Sequence, residues 1–251
     1  MQIYLIAATT LTDGMQRFLA DRELNWAHEG VASDAERVVE AAGRVCYMSF
    51  GVRQHRQSTD EYLANIIAQG HGSVLEHANF TLLVDGITRA LSHQLVRHRV
   101  GFAYSQLSQQ YHDESEAQFA EPKGLDEDSA LQERWNRWRD ETCALYGALL
   151  RFKAGDATVD GAGLTQKERS RLARSIARSV LPNATYTTLV VTGNARAWRH
   201  LLSTRGDIAG DLEMRTYCVE AYRILDGIAP HLFAGFAIAD DPLGSFLRES
   251  D

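Results

Sequence analysis

The chain has 251 residues, 45% of them hydrophobic and 24% charged, with a formal net charge of −7 at pH 7. This is the composition of a globular protein with a substantial core, and its acidic balance excludes the overall basic character of a nucleic-acid binder. The apolar start MQIYLIAATT is too short to span a membrane and follows no cationic lead, no run of about 18 apolar residues occurs, and Cys46, Cys143 and Cys218 stand far apart, so we expect a cytoplasmic protein with three core thiols and neither a membrane nor a nucleic-acid partner.

Residues 2–7 (QIYLIA) are rich in strand formers and predict an opening strand. A variable, polar stretch follows, then a helix over about 33–49 and a basic loop at 50–57. Ser58 opens S-T-D-E, a capping box with Glu61, and predicts a helix over 59–69 that Gly70 stops. Residues 78–86 read as a strand and 87–99 as the helix after it, with Arg89, His93 and Arg97 on one stripe and Ile87, Leu91 and Leu95 on another. Weak periodicity makes 100–125 mostly loop. A long helix over about 127–154 carries Trp135, Trp138, Leu145 and Leu149. Thr165 and Glu168 form a second capping box, opening a basic helix that stops before Pro182. A strand (185–193), a helix (194–205) and a further helix (about 211–228) complete the pattern. With neither repeats nor a glycine- or serine-rich linker, the expectation is one α+β domain over 1–251, using a strand-then-helix unit twice.

The densest chemical constellation is Arg97-His98-Arg99, followed after eight residues by Ser108. Three cationizable side chains in succession repel one another and call for an anion; arginine forks match phosphate oxygens, and His98 can stack on or donate to a heteroaromatic ring. Read alone, the triplet is more readily a solvated helix end, where positive charge also suits the dipole. His71 to His77 holds two histidines and Glu76, but its spacing matches no zinc pattern, and Glu76 and His77 read as orienting each other. Asn194, Arg196, Arg199, His200 and Arg205 crowd one helix, with Asn194 and Arg205 close in azimuth, Arg196 and His200 on a separate stripe, and Arg178 just before Pro182. If these basic helices converge they make a pocket for a phosphorylated ligand; amphipathic surface helices would give the same count. GxGxxG, GxxxxGK[ST] and G-x-S-x-G are all absent, which disfavours Rossmann, P-loop and serine-hydrolase readings.

Five segments, GHGSVLEHA (70–78), the helix ending in RHR, YSQLSQ (104–109), ARSVLPNAT (177–185) and VVTGNARAWRHLLSTR (190–205), together resemble the flavin-dependent thymidylate synthases, in the same order and with similar spacing from about residue 40 to 235. The resemblance implies an α+β fold with helices around a curved, mostly antiparallel sheet, assembled as a homotetramer whose active sites draw on more than one chain. It implies FAD contacts from Ser73, Arg97, His98, Arg99, Gln106, Asn194, Arg196 and His200, and nucleotide contacts from Gln94, Arg97, Gln106, Ser108 and Arg178. Arg205 resembles the arginine that faces the pyrimidine and polarises it. Reduced flavin then supplies hydride, methylenetetrahydrofolate the carbon, and NADPH the reducing equivalents. Ser108 has no adjacent base and reads as a binding residue rather than a nucleophile.

Two departures matter. Val100 through Leu107 place eight residues between RHR and the serine where the family has seven, and Gln110 stands where the family has an arginine that holds the nucleotide. The longer spacing resembles the variant methylases of polyoxin-type nucleoside-antibiotic pathways, which accept UMP as well as dUMP. The rival readings are a housekeeping thymidylate synthase using dUMP, a non-catalytic flavin- or nucleotide-binding protein, and an RNA-binding module. The acidic balance and the missing aromatic stacking motif beside the triplet disfavour the last.

Overall fold

A computed structural model describes residues 1–154 and 163–250. They group into two compact units: Met1–Val84 with Val96–Ser105 and Val190–Asp251, and Asp85–Leu95 with Gln106–Leu189. In chain order the elements are β1 (Gln2–Ala8), α1 (Gly14–Asp21), α2 (Asp34–Tyr47), α3 (Thr59–Ala68), β2 (Asn79–Thr88), α4 (Arg89–Leu95), β3 (Phe102–Gln106), α5 (Ser129–Ala154), α6 (Gln166–Ala177), β4 (Tyr186–Asn194), α7 (Ala195–Arg205), α8 (Leu212–Ile228), α9 (Pro230–Phe233), β5 (Phe236–Asp241) and β6 (Gly244–Glu249). Short 3₁₀ turns occupy Gly51–Arg53, Gly72–His77, Leu125–Glu127 and Arg178–Val180. Among the described residues no helix is long and apolar enough to cross a membrane.

Four strands lie side by side in the order β1-β2-β4-β3. Thr81 and Thr192 bond through their hydroxyls at 3.0 Å and Thr188 donates to Asp85 at 2.6 Å, so numbering falls along β4 as it rises along β2; the pair is antiparallel. The same holds for β3 and β4, where the Asn194 N–H donates to the Gly101 carbonyl (3.1 Å) and the Leu107 N–H to that of Thr188 (3.0 Å). Asn79 and Thr9 exchange bonds, joining the end of β1 to the start of β2, again antiparallel. The mixed helix-and-sheet architecture with antiparallel pairing thus agrees with the fold class expected. A separate hairpin pairs β5 with β6.

In the first unit the alternation of β2 buries Phe80, Leu82 and Val84 on one face. Trp198 of α7 packs there, its indole N–H donating to the Phe80 carbonyl at 3.4 Å, and Phe102 of β3 meets Trp198 edge-on at 5.1 Å. Helix α2 starts in a complete capping box: Ser33 accepts from the Glu36 N–H and Glu36 accepts from that of Ser33. The other Glu36 oxygen takes the His231 N–H at 2.8 Å, so one fully buried carboxylate starts two helices. In the second unit α5 packs along α6, Trp135 and Trp138 meet at a tilt of 43° with centroids 4.6 Å apart, and Tyr146, fully buried, accepts the Glu114 N–H. The Thr165–Glu168 box forms with both of its bonds.

Several expectations need correction. The box at Ser58 does not form, although the helix does: the Ser58 backbone is drawn into a bridge with Glu29, and the Thr59 hydroxyl donates instead to Glu40. The helix expected over 87–99 spans only Arg89–Leu95. Ile87 belongs to β2 and is fully buried, and the Thr88 hydroxyl accepts the Leu91 N–H. At the other end the His98 carbonyl accepts from Tyr104 and the Arg99 carbonyl from the Phe102 N–H, which makes Arg97-His98-Arg99 a turn into β3; Arg97 shares no helical stripe with Arg89 and His93. β3 lies within the segment read as mostly loop. Of the three cysteines only Cys218 is buried; Cys46 is exposed and Cys143 intermediate. Helix α1 and the β5–β6 hairpin escaped the sequence reading.

Candidate functional site

Within the first unit the turn after α4 and the helix α7 bring His98, His200 and Arg205 together. Arg205 ends α7 and donates through Nε to His98 Nε2 at 3.2 Å; the His98 and His200 rings meet edge-on at 6.3 Å. An imidazole nitrogen that accepts from a guanidinium carries no proton, so His98 is neutral with its hydrogen on Nδ1. Burial pushes its pKa below the ordinary histidine value, and the neighbouring Arg205 and then His200 push it the same way. Among the described residues nothing engages the two terminal nitrogens of Arg205 by hydrogen bond or ion pair. Beneath it, burial pushes the Cys218 thiol up to about 12, which leaves a protonated and inert sulfur.

Two cavities of about 420 Å³ adjoin at Arg196, which lines both. One is lined by Glu76, Val100, Gly101, Asn194, Arg196, Ala197 and His200; the other includes Tyr47, Gly70, His71, Gly72, Ser73 and Val74. Arg196 donates to Glu76 at 2.6 Å across a half-exposed pair, a contact worth at most about 1 kcal/mol and therefore easily opened. Glu76 is thus the partner of Arg196, and the mutual orientation of Glu76 and His77 is not what forms. The Asn194 side chain caps α7 by accepting the Ala197 N–H at 2.9 Å. Gly101 has φ +76°, and a Cβ there would come within 2.7 Å of Asn194 Nδ2 and 2.8 Å of the Ala197 methyl. Only glycine lets the turn lie this close to α7. Val100 before it is 91% exposed.

Arg97 and Arg99 are exposed, and among the described residues neither makes a hydrogen bond or ion pair. Arg199, by contrast, donates to the carbonyls of Leu232 and Ala234 and lies over the Phe236 ring, so it ties α7 to the C-terminal segment. Among the described residues no group of His, Cys, Asp and Glu could hold a metal ion.

The second unit holds the remaining candidates. Gln106 Nε2 donates to the hydroxyls of Ser92 (2.9 Å) and Thr187 (3.4 Å). Arg89 donates to the Leu107 carbonyl at 2.8 Å and lies 3.9 Å from the buried Glu114, fixing the segment between Gln106 and Ser108. The Ser108 hydroxyl accepts the Gln110 N–H at 3.3 Å, as a turn residue does. Gln110 Oε1 accepts from Arg171 Nε at 3.3 Å. Gln94 lies on α4, half-buried, and Arg178 is exposed in the 3₁₀ turn after α6. The sequence reading did not single out Arg171 or Arg174; their i, i+3 spacing on α6 was available as a signal.

The chain is similar over residues 30–231 to the family described as thymidylate synthase complementing protein. It is 41% identical over 241 residues to a protein of Mycobacterium avium named flavin-dependent thymidylate synthase, covering 95% of this chain and 91% of that one. A protein of the same name from Mycobacterium marinum is 40% identical over 252 residues (100% and 95%), and one from Mycobacterium tuberculosis 39% over 240 residues (95% and 90%).

Proposed function

The chain belongs to the flavin-dependent thymidylate synthase family, methyltransferases that use FAD, methylenetetrahydrofolate and NAD(P)H to make dTMP, and from that premise we propose how its own residues divide the work. The observation that carries the reading is Arg205, held through Nε by a neutral His98, its outer nitrogens uncommitted among the described residues. Carbon 5 of uracil is a poor nucleophile until negative charge can build on the ring. A planar guanidinium edge beside the ring carbonyl and nitrogen stabilises that charge without a covalent adduct.

FAD fits the first unit. Gly72 lets Arg196 approach to 3.0 Å of where a Cβ would stand, Gly101 lets the turn close onto Asn194 and Ala197 of α7, and the guanidiniums of Arg97 and Arg99, exposed and unpaired among the described residues, suit a pyrophosphate. Ser73, Arg97, His98, Arg99, Asn194, Arg196 and His200 would hold it. When bound and reduced, it supplies the hydride. From the second unit we assign Gln94, Gln106, Ser108, Gln110 and Arg178 to the nucleotide, Gln106 also touching the flavin. Arg97 and Arg205 complete the nucleotide set. Because family sites draw on several chains, we propose a homotetramer working in the cytoplasm, its 251 residues forming one domain.

The substrate can be dUMP alone, as for a housekeeping enzyme, or UMP as well, as in nucleoside-antibiotic pathways. The extra residue of the turn favours the second reading, since Gly101 stays against α7 while Val100 is pushed into solvent. Gln110 offers an acceptor as well as donors, which a ribose 2′-hydroxyl can use. Anaerobic turnover of UMP and dUMP side by side, with products identified by mass, is expected to show methylation of both. Deleting Val100 and restoring arginine at 110 should lower kcat/KM for UMP relative to dUMP by roughly 5- to 150-fold, the range for an unpaired buried hydroxyl. A parent that methylates dUMP alone removes the UMP reading; one that methylates neither removes the catalytic reading.

A further inference from the structure

The last turn of α7, which carries Arg205, is held from outside the helix. The carbonyls at a helix C-terminus lack intrahelical partners, and such turns fray unless other groups engage them. Here the Leu247 N–H of β6 donates at 3.0 Å to the carbonyl of Gly206, the residue after Arg205. Leu247 pairs with Ile238 of β5, and with its N–H given to Gly206 the outer edge of β6 faces the end of α7. The approach is tight. A Cβ on Gly206 would stand 2.7 Å from the Leu247 carbonyl oxygen, 2.9 Å from the Leu247 Cβ and 2.6 Å from the Leu202 carbonyl oxygen. At φ −63° and ψ −34° the backbone there suits any residue, so it is space alone that calls for glycine. Seven residues earlier, about two turns back along the helix, Arg199 donates to the carbonyls of Leu232 and Ala234 and lies 5.1 Å from the centre of the Phe236 ring, at the start of β5.

The hairpin is itself anchored at its far end. Arg215 of α8, its side chain 3% exposed, pairs with Asp241 at 3.0 Å, donates to the Gly244 carbonyl at 2.9 Å and lies 4.9 Å from the centre of the Phe246 ring. Asp241 Oδ1 accepts the N–H groups of Leu243 (2.8 Å) and Gly244 (3.1 Å), which closes the turn. We propose that the β5–β6 hairpin is the positioning element for Arg205, acting through the Leu247 backbone on Gly206. The inference rests on the role given to Arg205 under the proposed function. A guanidinium that presents two nitrogens at a fixed angle needs its Cα fixed as well as its Nε; were the last turn to fray, the 3.2 Å bond to His98 would go with it.

The experiment compares the full-length parent with two variants. Gly206→Ala adds a methyl that must push Leu247 away, and Asp241→Asn keeps an oxygen for the turn while removing the charge that faces Arg215. His98 is followed by NMR titration of histidine-labelled protein, which needs no turnover, beside kcat and KM as functions of pH. In Gly206→Ala kcat is expected to fall about tenfold or more, with the nucleotide KM within about twofold of the parent and flavin content retained. As Arg205 withdraws, His98 keeps its burial and its neighbour His200 but loses the guanidinium beside it, so its pKa rises and the acid limb of kcat moves to higher pH. Asp241→Asn should show both shifts at smaller size, because it loosens the hairpin without touching α7. A purely structural role would lower stability and leave both the His98 titration and kcat per flavin-bound enzyme at the parent values. That result overturns the proposal, and if Gly206→Ala fails to fold, Asp241→Asn decides it. A parent that methylates neither UMP nor dUMP refutes the proposed function instead, and the NMR titration still decides whether the hairpin positions Arg205.

Discussion

Arg205→Lys is expected to lower kcat by about 10²- to 10³-fold, the loss seen when one preorganised donor is removed from a developing anion, while leaving folding and flavin content intact. Lysine keeps the positive charge but has neither an Nε–H to give His98 nor a planar edge that meets two ring atoms at once. In the parent the 3.2 Å bond to His98 fixes the guanidinium plane, and the uncommitted terminal nitrogens form its outer edge. The substitution therefore removes both the orientation and the fork, which would appear in kcat more than in KM. The same contact sets the direction of the acid limb. Protonating His98 removes the acceptor for Arg205 and adds a second positive charge beside it. Because burial and Arg205 hold the His98 pKa below the ordinary value, the neutral ring persists to lower pH, and parent turnover should fall only below the ordinary histidine range. Stopped-flow oxidation of the pre-reduced enzyme, with nucleotide and folate supplied, measures the step. Turnover of the lysine variant within about threefold of the parent would remove Arg205 from the role.

The parts of the fold that sequence reading reached are those where local chemistry and tertiary packing agree. The two strand-then-helix units appear as β2–α4 and β4–α7, because the alternation of Phe80, Leu82 and Val84 and the cap at Asn194 are both local signals. Thr165 and Glu168 close their box because, among the described residues, neither side chain bonds to anything else, whereas Ser58 loses its box to a bridge with Glu29, a partner invisible at short range. The end of α4 was misplaced for the same reason. VRHR has good helical character, yet the Tyr104 hydroxyl takes the His98 carbonyl and Gly101 turns the chain back onto α7. That reversal moves the basic triplet from a helix face into a turn, where His98 reaches Arg205 while Arg97 and Arg99 stay open. Along β3 Phe102, Tyr104 and Gln106 are half-buried and alternate with exposed residues, but five residues next to a glycine give too short a pattern to be read as a strand in sequence. Motifs located the first-unit cluster; only the geometry showed which nitrogen of His98 meets Arg205 and that Glu76 belongs to Arg196.

Arg44→Met is expected to destabilise the protein by about 3–5 kcal/mol, the range for stripping one partner from a buried ion pair. Glu40 and Arg44 stand at spacing i, i+4 on α2 with side chains 0% and 1% exposed and an Nε–Oε1 distance of 2.6 Å. Arg44 also donates to the carbonyls of Ser49 (3.2 Å) and Arg56 (2.7 Å) and lies 4.5 Å from the centre of the Tyr62 ring. Glu40 in turn accepts from Thr59 (2.7 Å) and Trp26 (3.2 Å). One guanidinium thereby ties the loop after α2 to the start of α3, and the ends of both helices supply Tyr47 and Ile66 to the cavity that also holds Ser73. Methionine fills much of the volume and cannot serve the two carbonyls or the carboxylate, so Glu40 is left charged and buried without its counter-ion. If that uncompensated charge is the main cost, Glu40→Gln added to Arg44→Met should recover part of the loss, giving a favourable coupling between the two sites. Urea unfolding of parent, single and double variants reads this directly, with flavin content as a second readout of the cavity wall. A single variant within about 1 kcal/mol of the parent would mean that water reaches Glu40 and that the pair does not carry the local structure.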